Sequence, residues 1–171
     1  MKKLNYHFYT LSGNEKGICD SDDKCFLAFL LIGSSIATAQ PSHQNGTISS
    51  IQNGPDGKPT WKVSGTWNIV YQKSKSFGTF NASFDMMKLD GSSAHKHTIT
   101  ATLTSADFKL NGKISTRIYS GTATVSMKEG QVSNVPIVIK LSSDNSMSIM
   151  LDPVKTKGHF GNTSIQGKIL S

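Results

Sequence analysis

From position 61 onward, apolar and polar side chains alternate at nearly every second residue, and this alternation constrains the fold more than any other feature. The clearest run places Trp61, Val63, Gly65, Trp67, Ile69 and Tyr71 on one face, against Lys62, Ser64, Thr66, Asn68 and Gln72 on the other. Successive side chains of a β-strand point to opposite faces, so the run predicts a strand that is buried on one side only. Because no segment shows the period of an amphipathic helix, residues 59–171 are predicted to form an all-β domain.

Turn signals divide this domain into about eight strands. Further alternating runs cover 80–86, 95–104, 119–127, 135–141, 147–151 and 160–170, and a short run with Phe108 and Leu110 leads to the hairpin dipeptide Asn111-Gly112. Strands joined mostly by hairpins can bury their apolar faces in an antiparallel up-and-down barrel or in a β-sandwich of two packed sheets. The barrel is favoured because closure removes unpaired strand edges, and the sandwich is the alternative.

Residues 1–39 are predicted to be a secretory leader. The apolar core of this signal peptide occupies residues 25–39, and Ala37-Thr38-Ala39 has the small-x-small pattern that a signal peptidase cleaves. The apolar run is too short to cross a bilayer, so we expect a secreted or extracytoplasmic protein with no mature membrane span. A short uncleaved anchor is the alternative.

Residues 1–23 are unusual for the start of a signal peptide because they carry several acidic side chains. A start codon assigned too far upstream would explain them. Their apolar residues show no sustained period, which argues against a folded extension. Both cysteines, Cys19 and Cys25, lie in the leader, so the mature domain cannot be a disulfide scaffold.

Residues 40–58 are rich in Gly, Pro, Asn, Ser and Gln, with Ile48 and Ile51 as the only apolar anchors. This composition predicts a flexible tether. The positive and negative charges within the leader balance, so the formal net charge of +7 belongs entirely to the part of the chain after it. Such a charge favours an anionic cell-surface component as partner, although scattered lysines are also explained by solubility alone. Nucleic acid is not expected as a partner of an exported domain.

His95 and His97 are the most specific polar feature of the sequence. Because they lie two residues apart on a predicted strand, their imidazoles share one face and would converge. Such a pair suits Cu or Zn at about 2.0 Å, with a third ligand from one of four candidates: His159, Asp90, Asp85 or Met86. The alternative is a pair of rim histidines bonded to backbone or water. His43 is assigned to the tether.

Two further sets of residues are candidate sites. The aromatic residues Trp61, Trp67, Tyr71 and Phe84 share inward faces and could line a ligand-binding pocket or stack on a sugar. Filling of the core is the alternative for these side chains. Sequons make Asn45, Asn81 and Asn162 glycosylation candidates.

No catalytic motif appears after the leader. This part has no cysteine nucleophile, no Gly-x-Ser-x-Gly elbow, no His-Glu-x-x-His, and a single glutamate, Glu129. We therefore expect a non-enzymatic binding or structural domain, with a copper- or zinc-binding protein as the first alternative and an unidentified enzyme as the second.

Three segments carry a resemblance to a known group of proteins: 84–97 (FDMMKLDGSSAHKH), 121–125 and 152–167. They resemble uncharacterised exported β-domain proteins of ammonia-oxidising archaea, over most of the chain after the leader. The resemblance implies an extracytoplasmic setting and a lineage rich in copper proteins, which raises copper slightly above zinc. It supplies no catalytic residues.

Overall fold

The computed structural model describes residues 8–11, 15–19, 25–26, 40–54, 56–161 and 163–170. The chain forms two compact units, residues 1–37 and residues 38–171. In the first unit three short strands, β1 (Phe8–Leu11), β2 (Glu15–Cys19) and β3 (Cys25–Phe26), form an antiparallel sheet. Two of these strands, β1 and β2, lie in residues 1–23, whose apolar residues show no sustained period in the sequence. Apart from Cys25 and Phe26, the predicted leader core and its cleavage site lie outside the described residues.

The second unit is a closed barrel of eight antiparallel strands, as predicted. The strands are β4 (Ser42–Asn53), β5 (Pro59–Gln72), β6 (Phe77–Lys88), β7 (Ala94–Asn111), β8 (Ile114–Met127), β9 (Gly130–Ser142), β10 (Ser146–Leu151) and β11 (Ile165–Leu170). Each strand pairs with the next along the chain, and β11 pairs with β4 to close the ring. This is an up-and-down barrel, so the alternative of a sandwich is excluded. Within the described residues, no helix is long and apolar enough to span a bilayer.

Strand β4 lies where the composition predicts a flexible tether, and for residues 42–53 that prediction is wrong. Along β4, Ile48, Ser50 and Gln52 are buried while their neighbours are largely exposed. The apolar signal is weak partly because the inward-facing residue 46 is a glycine. The ring of Trp67 fills the space where its side chain would be, since a Cβ on Gly46 would lie 2.7 Å from that ring. Hydrogen bonding to β5 and β11 on both edges orders the strand instead. The folded domain therefore begins near residue 40 rather than 59.

Two other strand boundaries differ from the sequence expectation. Strand β7 is continuous through residues 104–108, where the alternation is interrupted, because a register shift between Leu103 and Ser105 absorbs one residue as a β-bulge. Strand β11 begins at Ile165, and residues 153–160 form consecutive turns. The total of eight strands is thus right, but β4 supplies one of them and the separate run near Phe108 belongs to β7.

The inward faces of the strands form one hydrophobic core. Its largest fully buried side chains are Tyr119, Phe80, Phe84, Ile69, Met86, Ile99, Leu103, Ile137, Ile139, Met147, Ile149 and Ile165. The connection between β10 and β11, residues 152–164, lies at the end where β5, β7, β9 and β11 begin. We call this the capped end, because Thr156 and Phe160 of the connection are buried against the barrel. The turn between β7 and β8 lies at the opposite end.

Candidate metal centre

Three histidines meet at the capped end of the barrel. His95 and His97 lie at the start of β7, paired in register with Met86 and Phe84 of β6, whose side chains are fully buried. His97 is also buried, with 1% of its surface exposed, and His95 is half-buried nearer the rim. His159 comes from the connection between β10 and β11. The predicted convergence of the pair is present, and of the four candidates for a third ligand His159 joins it.

Local hydrogen bonds shape the connection that carries His159. The backbone N–H of Asp152 donates to the carbonyl of Pro136 on β9 (3.0 Å), and the buried hydroxyl of Thr156 donates back to the carbonyl of Asp152 (3.0 Å). The His159 N–H then donates to the Thr156 carbonyl (3.0 Å). Gly158 adopts a positive φ of 69°, a conformation that glycine tolerates without steric cost. These turns bring the His159 imidazole back toward β7.

The far side of the connection is fixed by a buried glutamine. The Gln52 side chain on β4 accepts a hydrogen bond from the Thr163 hydroxyl (2.9 Å) and donates to the Ser164 carbonyl (3.3 Å). Its amide also donates to the Ser50 hydroxyl (3.0 Å). Both polar atoms of the buried Gln52 amide therefore have hydrogen-bond partners, and these bonds anchor the connection to the barrel wall. The placement of His159 is thus supported from both β9 and β4.

The imidazole nitrogens are spaced as metal ligands are. His159 Nε2 lies 3.2 Å from His95 Nε2 and 3.0 Å from His97 Nε2. The ligand atoms of all three side chains lie within 4.8 Å of one another. In a tetrahedral site with metal–nitrogen bonds of about 2.0 Å, two ligand nitrogens are separated by about 3.3 Å. Two of the three separations are therefore already close to those of a bound ion.

One hydrogen bond fixes the tautomer of His97. Its Nδ1 lies 2.6 Å from the carbonyl oxygen of Ser126 on β8. A carbonyl can only accept, so Nδ1 must carry the proton, and in the neutral ring Nε2 presents a lone pair to the other two histidines. Metal-binding histidines commonly use such a carbonyl contact to orient the ring and raise its basicity.

Burial lowers the pKa values of two of the three histidines, His97 and His159. The pKa of His159 is lowered to about 4, first by desolvation of the charged form and then by repulsion from His97 and His95. The pKa of His97 is also lowered, because burial outweighs the stabilising contact with the Ser126 carbonyl. A neutral imidazole is the form that binds a metal ion, so protons compete weakly for these nitrogens near neutral pH.

Hydrogen bonding alone satisfies this arrangement poorly. A neutral ring nitrogen carries either one proton or one lone pair in the ring plane. His159 Nε2 can therefore form one well-directed hydrogen bond, although it lies near both His95 and His97. A cation accepts lone pairs from all three nitrogens at once. The three histidines could thus hold a metal ion.

Aromatic rings surround the cluster. Trp61 meets His95 edge-on with 5.0 Å between ring centroids, and Phe160 lies 5.0 Å from both His97 and His159. Phe84 lies 5.6 Å from His97. Such an apolar collar restricts water and lowers the local dielectric, which accounts for the desolvation that depresses the pKa values.

Of the remaining candidate ligands, the two carboxylates point away from the cluster. Asp85 is exposed on the outward face of β6, and exposed Asp90 accepts a hydrogen bond from the Ser92 backbone in the turn between β6 and β7 (2.8 Å). Met86 is fully buried opposite His95. His43, assigned to the tether, is exposed on β4 near the opposite end.

The predicted aromatic pocket and glycosylation sites have mixed placements. Trp67, Tyr71 and Phe84 belong to the hydrophobic core, which matches the core-filling alternative, and Trp61 packs partly buried at its edge. Asn45 is exposed on the barrel wall and Asn81 is partly exposed there. Asn162 lies outside the described residues.

Sequence reasoning missed three contributors to the site. The Ser126 carbonyl has no sequence signal, because its contact with His97 depends on the register between β7 and β8. Gln52 is hidden in the segment predicted to be a tether. Phe160, which packs on Phe84 and two of the histidines, is adjacent to His159 and could have been proposed from that adjacency.

The fold and site define a class: an eight-stranded up-and-down barrel with a three-histidine cluster at its capped end. Comparison of the chain with protein-family models, curated proteins and solved structures found no match.

Proposed function

We propose that the barrel is a metal-binding protein that holds one copper or zinc ion through His95, His97 and His159. The observation that carries this proposal is the convergence of three imidazole nitrogens, with His159 Nε2 at 3.0 and 3.2 Å from its two neighbours. Imidazole is a ligand that both ions prefer, and three protein ligands leave one position for water or an exchanging ligand. We further propose that the protein acts outside the cytoplasm, on the strength of the leader-like residues 25–39.

Copper is the ion we favour. Met86 lies directly opposite His95 in the register of β6 and β7, and cross-strand partners are neighbours on one face of a sheet. A thioether is a soft ligand that suits Cu(I), whereas zinc gains little from it. A site with three imidazoles and a nearby methionine therefore discriminates toward copper.

The test is calorimetric titration of chelator-treated protein with Zn²⁺ and Cu²⁺, and with Cu⁺ under reducing conditions against a competing ligand. We expect one ion per chain, and Met86→Leu should weaken Cu⁺ binding while leaving Zn²⁺ binding unchanged. Mg²⁺ serves as the control and should not bind, because it prefers oxygen ligands. The proposal would be refuted if Zn²⁺, Cu²⁺ and Cu⁺ all failed to bind. It would also be refuted if the ions bound only at several weak sites whose affinity did not depend on the three histidines.

The metal-free protein should lose stability as the pH falls from about 6.5 to about 4. Unfolded His159 titrates near its ordinary pKa, whereas the folded pKa is about 4. Between these values unfolding takes up a proton, so acid favours the unfolded chain, and the contribution is fully present only above the unfolded pKa. Denaturant midpoints measured across this range should fall, and His159→Asn should flatten the decline. An unchanged slope in the variant would contradict the depressed pKa.

A further inference from the structure

The hairpin of β7 and β8 extends beyond the barrel wall at the end opposite the histidines. Pairing of β7 with β6 stops at Leu103, but its pairing with β8 continues to the Asn111–Ile114 pair. On the other side, β9 pairs with β8 only as far as Thr116. Residues 105–118 are here called the hairpin arm. Only its end, beyond the Lys109–Thr116 pair, is two-stranded, and within the described residues β7 has no strand partner on its outer edge from Ser105 to Asn111.

The tip of the hairpin arm is apolar and exposed. Phe108 is 66% exposed, Leu110 69% and Ile114 44%. Three large apolar side chains at this exposure within one hairpin are unusual, since exposed apolar residues are normally scattered singly over a surface. A partner that removes them from water would gain the corresponding hydrophobic free energy.

Basic residues alternate with these apolar side chains. The arm carries Lys109, Lys113 and Arg117 against a single acid, Asp107, so its net charge is +3 − 1 = +2. Both lysines are exposed. An apolar tip with flanking cations is the composition of elements that lie in the interface of an anionic bilayer.

A notch of about 150 Å³ lies at the base of the hairpin arm. Its lining includes Phe108, Ser115, Arg117, Ser142 and Ser143. The guanidinium of Arg117 lies 3.4 Å from the Tyr119 hydroxyl, a contact that engages one of its five donors. A guanidinium beside several hydroxyls is suited to a phosphate group. The notch thus offers a headgroup site next to the apolar tip.

We propose that the hairpin arm docks the barrel on an anionic phospholipid membrane. Phe108 and Leu110 enter the interface, the two lysines approach the headgroups, and Arg117 contacts a lipid phosphate. Pairing of a second copy along the free edge of β7 is disfavoured, because each chain carries a formal net charge of +7 and the arms would bring like charges together. The proposal is independent of the metal centre, which lies at the other end of the barrel.

The test is co-sedimentation of the barrel with vesicles of phosphatidylglycerol and phosphatidylcholine, compared with phosphatidylcholine alone. Residues 40–171 are used because the closed sheet and its core lie within that compact unit. We expect binding to the anionic vesicles that weakens at high salt, with F108S/L110S reducing it at least about tenfold. K109Q/K113Q should reduce it about tenfold and lessen its salt dependence.

Val154→Ser is the matched control, because Val154 is 83% exposed but lies in the connection at the capped end. It should bind vesicles as the unaltered barrel does. Unfolding midpoints confirm that each variant is folded. Equal binding by F108S/L110S and the unaltered barrel, or no preference for anionic vesicles, would overturn the proposal. If the unaltered barrel formed a dimer that F108S/L110S disrupted, and did not bind vesicles, the hairpin arm would be a self-association surface. That result would also overturn the membrane proposal.

Discussion

Removing His97 and His159 together should abolish high-affinity metal binding. Mutating a residue that only hydrogen-bonds a metal ligand typically lowers metal affinity about 10–100-fold. Loss of two direct ligands should therefore lower the affinity by more than about a hundredfold. Only His95 would remain, and one imidazole does not hold copper or zinc at low concentration. Calorimetry of H97A/H159A against the unaltered protein measures the loss.

The controls for this double variant separate folding from ligation. His97→Ala also leaves the Ser126 carbonyl without its donor, which lowers stability. His159→Ala alone alters the connection but leaves the barrel wall intact, and it should still reduce affinity by about a hundredfold. His43→Ala, an exposed histidine of β4 far along the strand from the capped end, should bind metal normally. If H43A and H159A bound metal equally, the proposal that the three-histidine cluster binds the metal would be wrong.

Ile48→Asp should prevent stable folding of the barrel. Ile48 is 2% exposed on β4, between Gly65 of β5 and Gly167 of β11. The substitution removes a buried apolar side chain and places an unpaired carboxylate in the core, which together cost about 4 kcal/mol or more. That is a large fraction of the roughly 5–15 kcal/mol by which domains are stable. Urea unfolding followed by circular dichroism measures the change.

Ser49→Asp is the matched control for the role of β4. Ser49 is the next residue, its side chain is exposed, and the same charge there should change stability by no more than about 0.5 kcal/mol. A flexible tether would tolerate both substitutions equally. Similar unfolding midpoints for I48D and S49D would therefore show that residues 42–53 do not close the barrel.

The contrast between β5 and β4 explains how much of the fold could be predicted. On β5 the inward positions hold Val63, Trp67 and Ile69, so the period of two is visible in the sequence. On β4 the inward positions include Gly46, Ser50 and Gln52, which carry no apolar signal. Such a strand can be recognised only when the positions of its two neighbouring strands are known, because hydrogen bonds to both of them hold it in an extended conformation.

The candidate site divides in the same way. The pairing of His95 with His97 follows from local geometry, since residues two apart on a strand share a face. The choice of His159 over Asp90, Asp85 and Met86 depends on the turns in residues 153–160. It also depends on the hydrogen bonds of Gln52 to Thr163 and Ser164. Those contacts join residues more than a hundred positions apart, so spacing in the sequence could name His159 as a candidate but could not select it.

The two ends of the barrel have different chemistry. The capped end places three imidazoles among aromatic rings, and the opposite end exposes apolar and basic side chains on the hairpin arm. A rigid closed sheet separates them, so substitutions at one end should leave the other unchanged. The metal titrations and the vesicle experiments therefore report on separate properties of one molecule.

The most direct test of the central claim is X-ray absorption spectroscopy at the metal edge of protein loaded with one equivalent of copper. The account predicts about three imidazole nitrogens in the first shell at about 2.0 Å, with the multiple-scattering pattern of histidine rings. A first shell of oxygen atoms without imidazole scattering, or copper that is removed by a simple buffer wash, would contradict it.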